Sequence, residues 1–318
     1  MAPIIEINNL TKRYGSRVAV DDLSLTVEEG DIYGFVGPNG AGKTSTIRVI
    51  TTLMRQTSGT VRVVGEDVQK NPKAVRAAIG YMPDFFGVYN DMKVWEYLDF
   101  FGACYQIPEG ERAVLIGDLL ELVDLAHRRD DWVDKLSRGM KQRLSLARTL
   151  LHDPKILILD EPASGLDPRA RVEIRELLVE LAKLGKTIFF STHILSDVSE
   201  ICTRVGIIEE GKMIASGGIE ELQQIIVPNR IIELTLLAQA EEAQAALTQL
   251  DSVSNIHAKP ATAENARARL EFEFQGTDQM LSDLLGGLIQ QGLPVLSFHE
   301  ESRDLEEVFM RITKGVVS

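Results

Sequence analysis

The sequence predicts a doubly wound α/β core. An antiparallel β-layer precedes it, a helical block interrupts it, and a small α+β unit follows it. Three observations carry this prediction. Continuous apolar strands alternate with helical patterns between Asp31 and Glu209, as in a parallel sheet covered on both faces. A glycine-rich stretch, Gly37-Pro38-Asn39-Gly40-Ala41-Gly42-Lys43-Thr44, joins one such strand to one such helix. Composition shifts after about Ile219, and the order of elements becomes β-α-β-β-α-β.

In chain order, Ile4 to Asn8 alternates apolar and polar, as a half-buried strand does. Thr11 to Gly15 reads as a turn carrying one aromatic, Tyr14, and Val18–Val20 and Leu23–Val27 read as two further strands. Asp31–Val36 is a buried strand, and the residues from Ser45 to Leu53 form the helix behind the glycines. Thr60–Val64 is a strand, Val75–Ala78 is helical, and Ile79–Met82 is a short strand stopped by Pro83. Two amphipathic helices, Val94 to Tyr105 and Glu111 to Leu125, build a helical block at about 84–152 that also holds the helix leading to Leu151. Ile156–Asp160 is an apolar run, Pro168–Leu184 a helix, Thr187–His193 a buried strand, and Arg204–Glu209 another. Beyond Ile219, strands at 230–237, 253–258, 269–274 and 295–298 and helices at 240–250 and 279–291 match a split βαβ, ferredoxin-like unit, with a last helix from Asp304 to Ile312. The chain is thus read as two domains, 1–218 and 219–318.

With 318 residues, 44% hydrophobic and 25% charged, the chain has the composition of a globular protein. A net charge of −13 argues against a nucleic-acid partner, which selects a basic face. Cys104 and Cys202 are far apart and in no metal-ligand spacing, so they are expected to be reduced, buried thiols. The first residues have neither a charged n-region nor an apolar run, and no stretch approaches the ~20 apolar residues of a spanning helix. Work at a membrane would therefore go through a partner.

The residues that carry chemistry fall into three groups. Gly37–Thr44 fits G-x-x-x-x-G-K-[ST], with the strand and helix that this phosphate loop requires on either side. Glycines let backbone N–H groups wrap an anion, and the helix N-terminus adds positive potential. Lys43 is expected on the β- and γ-phosphates, Thr44 on Mg²⁺, and Ser45 at the start of the helix. Asp160-Glu161 ends its strand where open α/β sheets place ligands: an aspartate there can hold Mg²⁺ and a glutamate can polarise the attacking water. Leu136-Ser137-Arg138-Gly139-Met140-Lys141-Gln142-Arg143 opens another helix with a hydroxyl and free N–H groups, a second anion site. One chain has little use for two γ-phosphate cradles, so the second is expected to serve another copy in a head-to-tail dimer.

These motifs, with Ser164-Gly165-Leu166-Asp167 and His193 after them, resemble the ABC-type ATPases in kind and in order, from about Ile4 to Ser216. The resemblance implies ATP and Mg²⁺ as cofactors and a P-loop ATPase core. It implies that Tyr14 stacks on adenine, that Ser137, Gly139 and Gln142 meet the nucleotide held by the opposite subunit, and that Asp167 links the two sites. Glu161 resembles the catalytic carboxylate and His193 the switch histidine at the γ-phosphate. The family usually has a glutamine where this chain has Asp84, which would reach less far and bind Mg²⁺ more strongly. Acidic residues there, and a C-terminal domain ending in a stretch like Asp304-Leu305-Glu306-Glu307-Val308-Phe309, resemble the ATPases of drug, antibiotic and polysaccharide exporters.

The expected function is therefore the ATP-hydrolysing subunit of a membrane exporter, cytoplasmic and peripheral, partnered by an integral-membrane permease subunit. Aromatic residues concentrate at Phe85, Phe86, Tyr89, Trp95, Tyr97, Phe100 and Phe101, either as that partner's docking surface or as the core of the helical block. The alternative is a soluble ABC-type ATPase acting on nucleic acid or ribosomes, which the acidic balance disfavours. A regulatory module without turnover is disfavoured by the complete set Lys43, Asp160, Glu161 and His193.

Overall fold

The computed structural model describes residues 3–84, 87, 89, 91–219, 221–222, 230–237, 240–259 and 268–300. Phe85, Phe86 and the stretch from Asp304 to Ile312 lie outside the described residues. The chain divides into two compact units, Met1–Ile219 and Glu220–Ser318.

The first unit begins with an antiparallel sheet. Strands β1 (Pro3–Tyr14), β2 (Arg17–Glu28), β4 (Ser58–Val63) and β5 (Glu66–Asp67) lie in the order β2-β1-β4-β5. Two sequence expectations are corrected here. Thr11–Tyr14 is strand rather than turn, and Val18–Val27 lies within one strand rather than two. The reason is a pair of facing irregularities: Asn9 (φ 51°) and Asp22 (φ 53°) sit in the left-handed region, and the Asn9 amide donates to Asp22 Oδ1 at 2.9 Å. This bulge breaks the apolar alternation without ending either strand.

The second layer is a six-stranded sheet ordered β10-β9-β3-β8-β7-β6, where β3 is Ile32–Val36, β6 Ile79–Met82, β7 Ile156–Asp160, β8 Thr187–Thr192, β9 Arg204–Glu209 and β10 Lys212–Gly218. All neighbours run parallel except the edge pair β9–β10. Every residue of β3, β7 and β8 is buried, which explains their unbroken apolar runs. Helix α1 (Lys43–Ile50) shares one core with both sheets, with Ile5, Ile7 and Val61 on one side and Phe35, Ile158 and Phe189 on the other. That core fixes the glycine-rich loop between β3 and α1.

Helices α2 (Pro72–Ala78), α3 (Val94–Cys104), α4 (Glu109–Leu122) and α5 (Arg138–Leu150) follow, then α6 (Pro168–Lys183) and α7 (Leu195–Ile201). On α3 the buried residues are Val94, Tyr97, Leu98 and Gly102, one helical face. Cys104 lies off that face and is exposed, which corrects the expectation of two buried thiols. The aromatic group divides in the same way: Tyr97 is fully buried, whereas Tyr89 and Phe100 are exposed.

In the second unit, β11 (Arg230–Leu236), α8 (Ala240–Thr248), β12 (Val253–Lys259), β13 (Ala268–Phe274), α9 (Asp278–Gln290) and β14 (Val295–Glu300) form an antiparallel sheet ordered β12-β13-β11-β14. This is the ferredoxin-like arrangement, with its core in Ile232, Leu234, Leu236, Phe272 and Phe274.

Candidate nucleotide site

The site forms where β3, β7 and β8 end. Val36 pairs with Thr192 and Asp160 with Ser191, so the loops after all three strands meet at one place. The loop after β3 turns through Gly40 (φ 85°) and Gly42 (φ 110°), conformations open to glycine. Gly37 and Gly42 are also required sterically: a Cβ at Gly37 would lie 2.2 Å from the Ile208 carbonyl oxygen, and one at Gly42 2.6 Å from that of Ala19. The Gly37 N–H donates to the Thr192 carbonyl at 3.3 Å and the Ala41 N–H to that of Pro38 at 3.2 Å, which close the loop into a cradle.

Lys43 is buried, and its ammonium donates to the Gly37 carbonyl at 2.7 Å and the Pro38 carbonyl at 3.2 Å and lies 3.3 Å from Glu161 Oε1. The second oxygen of Glu161 is 2.7 Å from His193 Nδ1. A carboxylate only accepts, so Nδ1 carries the proton in that contact. Glu161 itself has φ 54°, a left-handed conformation that costs a non-glycine residue about 1–3 kcal/mol. Its N–H is held there by the Ser191 carbonyl at 3.2 Å and by Ser191 Oγ at 3.1 Å.

Asp160 is buried. Its Oδ1 accepts from Ser191 Oγ at 2.6 Å and from Thr44 Oγ1 at 3.3 Å. Burial raises its pKa above the usual carboxylate value, the two hydroxyls oppose that shift, and the charges of Asp84 and Glu161 add to it. A buried carboxylate held beside a hydroxyl in this way lacks a counter-charge, which a cation would supply.

A cavity of about 450 Å³ opens over these groups, lined by Tyr14, Arg17, Ala19, Asn39, Gly40, Gly42, Lys43, Thr44, Ser45, Asp84, Glu161, Ser164 and His193. Tyr14 is exposed at its mouth, with its hydroxyl 3.3 Å from Ser45 Oγ and the Lys12 ammonium 5.1 Å from its ring centre. Gly37, Pro38 and Ala41 shape the loop without lining the cavity.

Ser137, Gly139 and Asp167 lie elsewhere, on a second cavity of about 210 Å³ at the start of α5 and α6. Each acid or hydroxyl there caps its helix: Ser137 Oγ accepts from the Met140 N–H at 3.2 Å and Asp167 Oδ1 from the Ala170 N–H at 2.9 Å. Gln142 lines neither cavity. It is buried, and its amide donates to the Pro162 carbonyl at 2.6 Å. Sequence reasoning missed Ser191, Arg17 and Ala19. Ser191 had a signal, a hydroxyl ending an otherwise apolar buried strand, whereas Arg17 and Ala19 reach the cavity only because the β1–β2 hairpin bends over the loop.

The fold and the cavity define a phosphate-loop nucleotide hydrolase of the cassette type. A family model described as ABC transporter matches residues 20–164. The bacitracin transport ATP-binding protein of Bacillus licheniformis is 37% identical over 99% of both chains, and the Nod factor export ATP-binding protein I of Burkholderia lata 35% over 98% of this chain and 97% of its own. Among solved structures, cbiO1 from Clostridium perfringens is 28% identical at a TM-score of 0.64, covering 71% of this chain and 94% of that one. The chain belongs to the ABC transporter ATP-binding proteins, which are ATPases coupled to transport.

Proposed function

We propose that this chain drives export through a separate integral-membrane permease subunit by binding and hydrolysing Mg·ATP in a head-to-tail dimer. The observation that carries the reading is the convergence of Lys43, Glu161 and His193 over the glycine cradle, beside a buried Asp160. Lys43 and the loop N–H groups bind the phosphates, and Tyr14 at the cavity mouth offers its ring to adenine. Thr44 and Asp160, with Asp84 on the same cavity, would hold Mg²⁺. One or two carboxylates and a hydroxyl would suit that ion, which keeps several of its waters. When bound, Mg²⁺ neutralises charge on the β- and γ-oxygens. Glu161, aimed by its two contacts, accepts a proton from the attacking water, and His193 stands at the γ-phosphate. Ser137 and Gly139 present the second cavity to the nucleotide of another copy, and Asp167 stands between the sites.

Two relatives named for transport and export that match this chain nearly end to end support the exporter reading. No described helix is long and apolar enough to cross a membrane. Exposed Tyr89 and Phe100 offer the permease an aromatic surface. The test is Glu161→Gln protein in Mg·ATP. We expect ATP-dependent dimerisation by size-exclusion chromatography, loss of hydrolysis, and recovery of a polytopic membrane protein from detergent extracts. Recovery of a ribosome or nucleic acid instead would refute it.

A further inference from the structure

The side chain beside Ser137 in the second cavity is exposed, yet it is held in place by contacts on one side. Arg138 Nη2 donates to the Ser164 carbonyl at 2.9 Å. A Cβ built on Gly165 would lie 2.4 Å from Cζ, Nη1 and Nη2 alike, so the guanidinium plane lies face-on against that glycine. Gly165 has φ 67° and brings the backbone up to the plane. Ser164 in turn lines the first cavity, and its N–H donates to the Glu161 carbonyl at 3.0 Å. Arg138, Gly165 and Asp167 line the second cavity. One guanidinium therefore spans, within a single chain, from the helix start that carries Ser137 to the turn that carries Glu161.

We propose that Arg138 is a positioning residue that couples the two nucleotide sites of the dimer. The inference rests on the head-to-tail dimer proposed above. In that dimer the second cavity of a chain receives its partner's nucleotide, while the first holds its own. A phosphate arriving at Ser137 and Gly139 moves the first turn of α5. Arg138 lies in that turn and carries the shift to the Ser164–Gly165 peptide, and from there one hydrogen bond reaches Glu161. Allosteric coupling needs a physical element that both sites bias, and this clamp is one. The planar donor suits the task, because it can bond a carbonyl and stack on a peptide at the same time.

The test measures ATP hydrolysis by the full chain against ATP concentration in Mg²⁺. We expect a wild-type Hill coefficient above 1, bounded by the two sites. Arg138→Met should bring it to about 1 and lower kcat roughly tenfold, about 1.4 kcal/mol in the barrier. The Kd of the single chain for ATP, set by the first cavity, and the melting temperature should not move. Gly165→Ala should expel the guanidinium and give the same loss. Added to Arg138→Met, it should cost less than it costs the wild type, as contacting residues are non-additive. A lower kcat with an unchanged Hill coefficient, or additive effects of the two substitutions, would overturn the clamp. Failure of Glu161→Gln to dimerise would overturn the dimer reading and the clamp together.

Discussion

Ser191→Ala isolates what holds the acidic pair in place. Ser191 is completely buried, and its hydroxyl donates to Asp160 Oδ1 at 2.6 Å while accepting from the Glu161 N–H at 3.1 Å. The two bonds differ in consequence. Without the hydroxyl, the Glu161 N–H keeps the Ser191 carbonyl at 3.2 Å, so little is lost there. Asp160, buried itself, keeps only the longer bond from Thr44 at 3.3 Å. A hydrogen bond to a charged group contributes about 1.5–3 kcal/mol, so a loss of about 2 kcal/mol is expected. For a unit of this size, each kcal/mol moves Tm by about 2–4 °C, giving a drop of about 4–8 °C. The assay is thermal unfolding in Mg²⁺-free buffer, run on Ser191→Ala, Asp160→Asn and the pair. With a neutral amide at 160, the same deletion should cost only about 0.5–1.5 kcal/mol, the value for a neutral bond. A Ser191→Ala melt within about 1 °C of wild type, or an equal drop in the Asp160→Asn background, would show that the contact does not anchor the carboxylate.

Three further outcomes follow from the same geometry. Gln142→Ala should lower stability by about 1–3 kcal/mol by leaving the Pro162 carbonyl buried and unpaired, with no change in the Kd for ATP by isothermal calorimetry; weaker ATP binding at full stability would return Gln142 to the nucleotide. Tyr14→Ala should weaken ATP binding about tenfold and Tyr14→Trp should restore it, since base–aromatic stacking contributes about 1–3 kcal/mol and needs only a ring. Asp197, buried and paired with Arg175 at 3.2 Å, has its pKa raised by burial against the opposing charge of Arg175. A raised carboxyl pKa means that the folded state binds the proton more tightly, so stability falls as pH rises through the interval between the ordinary and the raised value. Denaturant unfolding of wild type relative to Asp197→Asn should therefore favour the wild type increasingly as pH falls through that interval. A flat difference would contradict the burial argument.

Much of the site was legible in the sequence because its parts are local. Gly37–Thr44 needs only backbone torsions, glycine clearance and a helix start, all of which a run of eight residues specifies. Asp160-Glu161 was legible for a similar reason, as a polar pair ending an apolar strand marks the carboxyl edge of a parallel sheet. The ferredoxin-like order of the second unit followed from alternation and turn spacing. Local pattern failed where two strands carry facing bulges: Asn9 and Asp22 interrupt the alternation that a sequence reading counts, yet their side chains bond across the pair and keep both strands whole.

What the sequence by itself determined is thus the motif set, the strand and helix periods, and the class of chemistry. Those rest on interactions between near neighbours. Only the tertiary structure decided which of these residues meet. Parallel register brings Ser191 against Asp160, 31 positions away, and sets His193 on Glu161, 32 away. It buries Gln142 under Pro162 and leaves Ser137 and Gly139 on a cavity apart from Lys43. Side-chain identity is written along the chain, but a carboxylate's partners are chosen by strand order and register, and those are settled by the burial of the whole core at once.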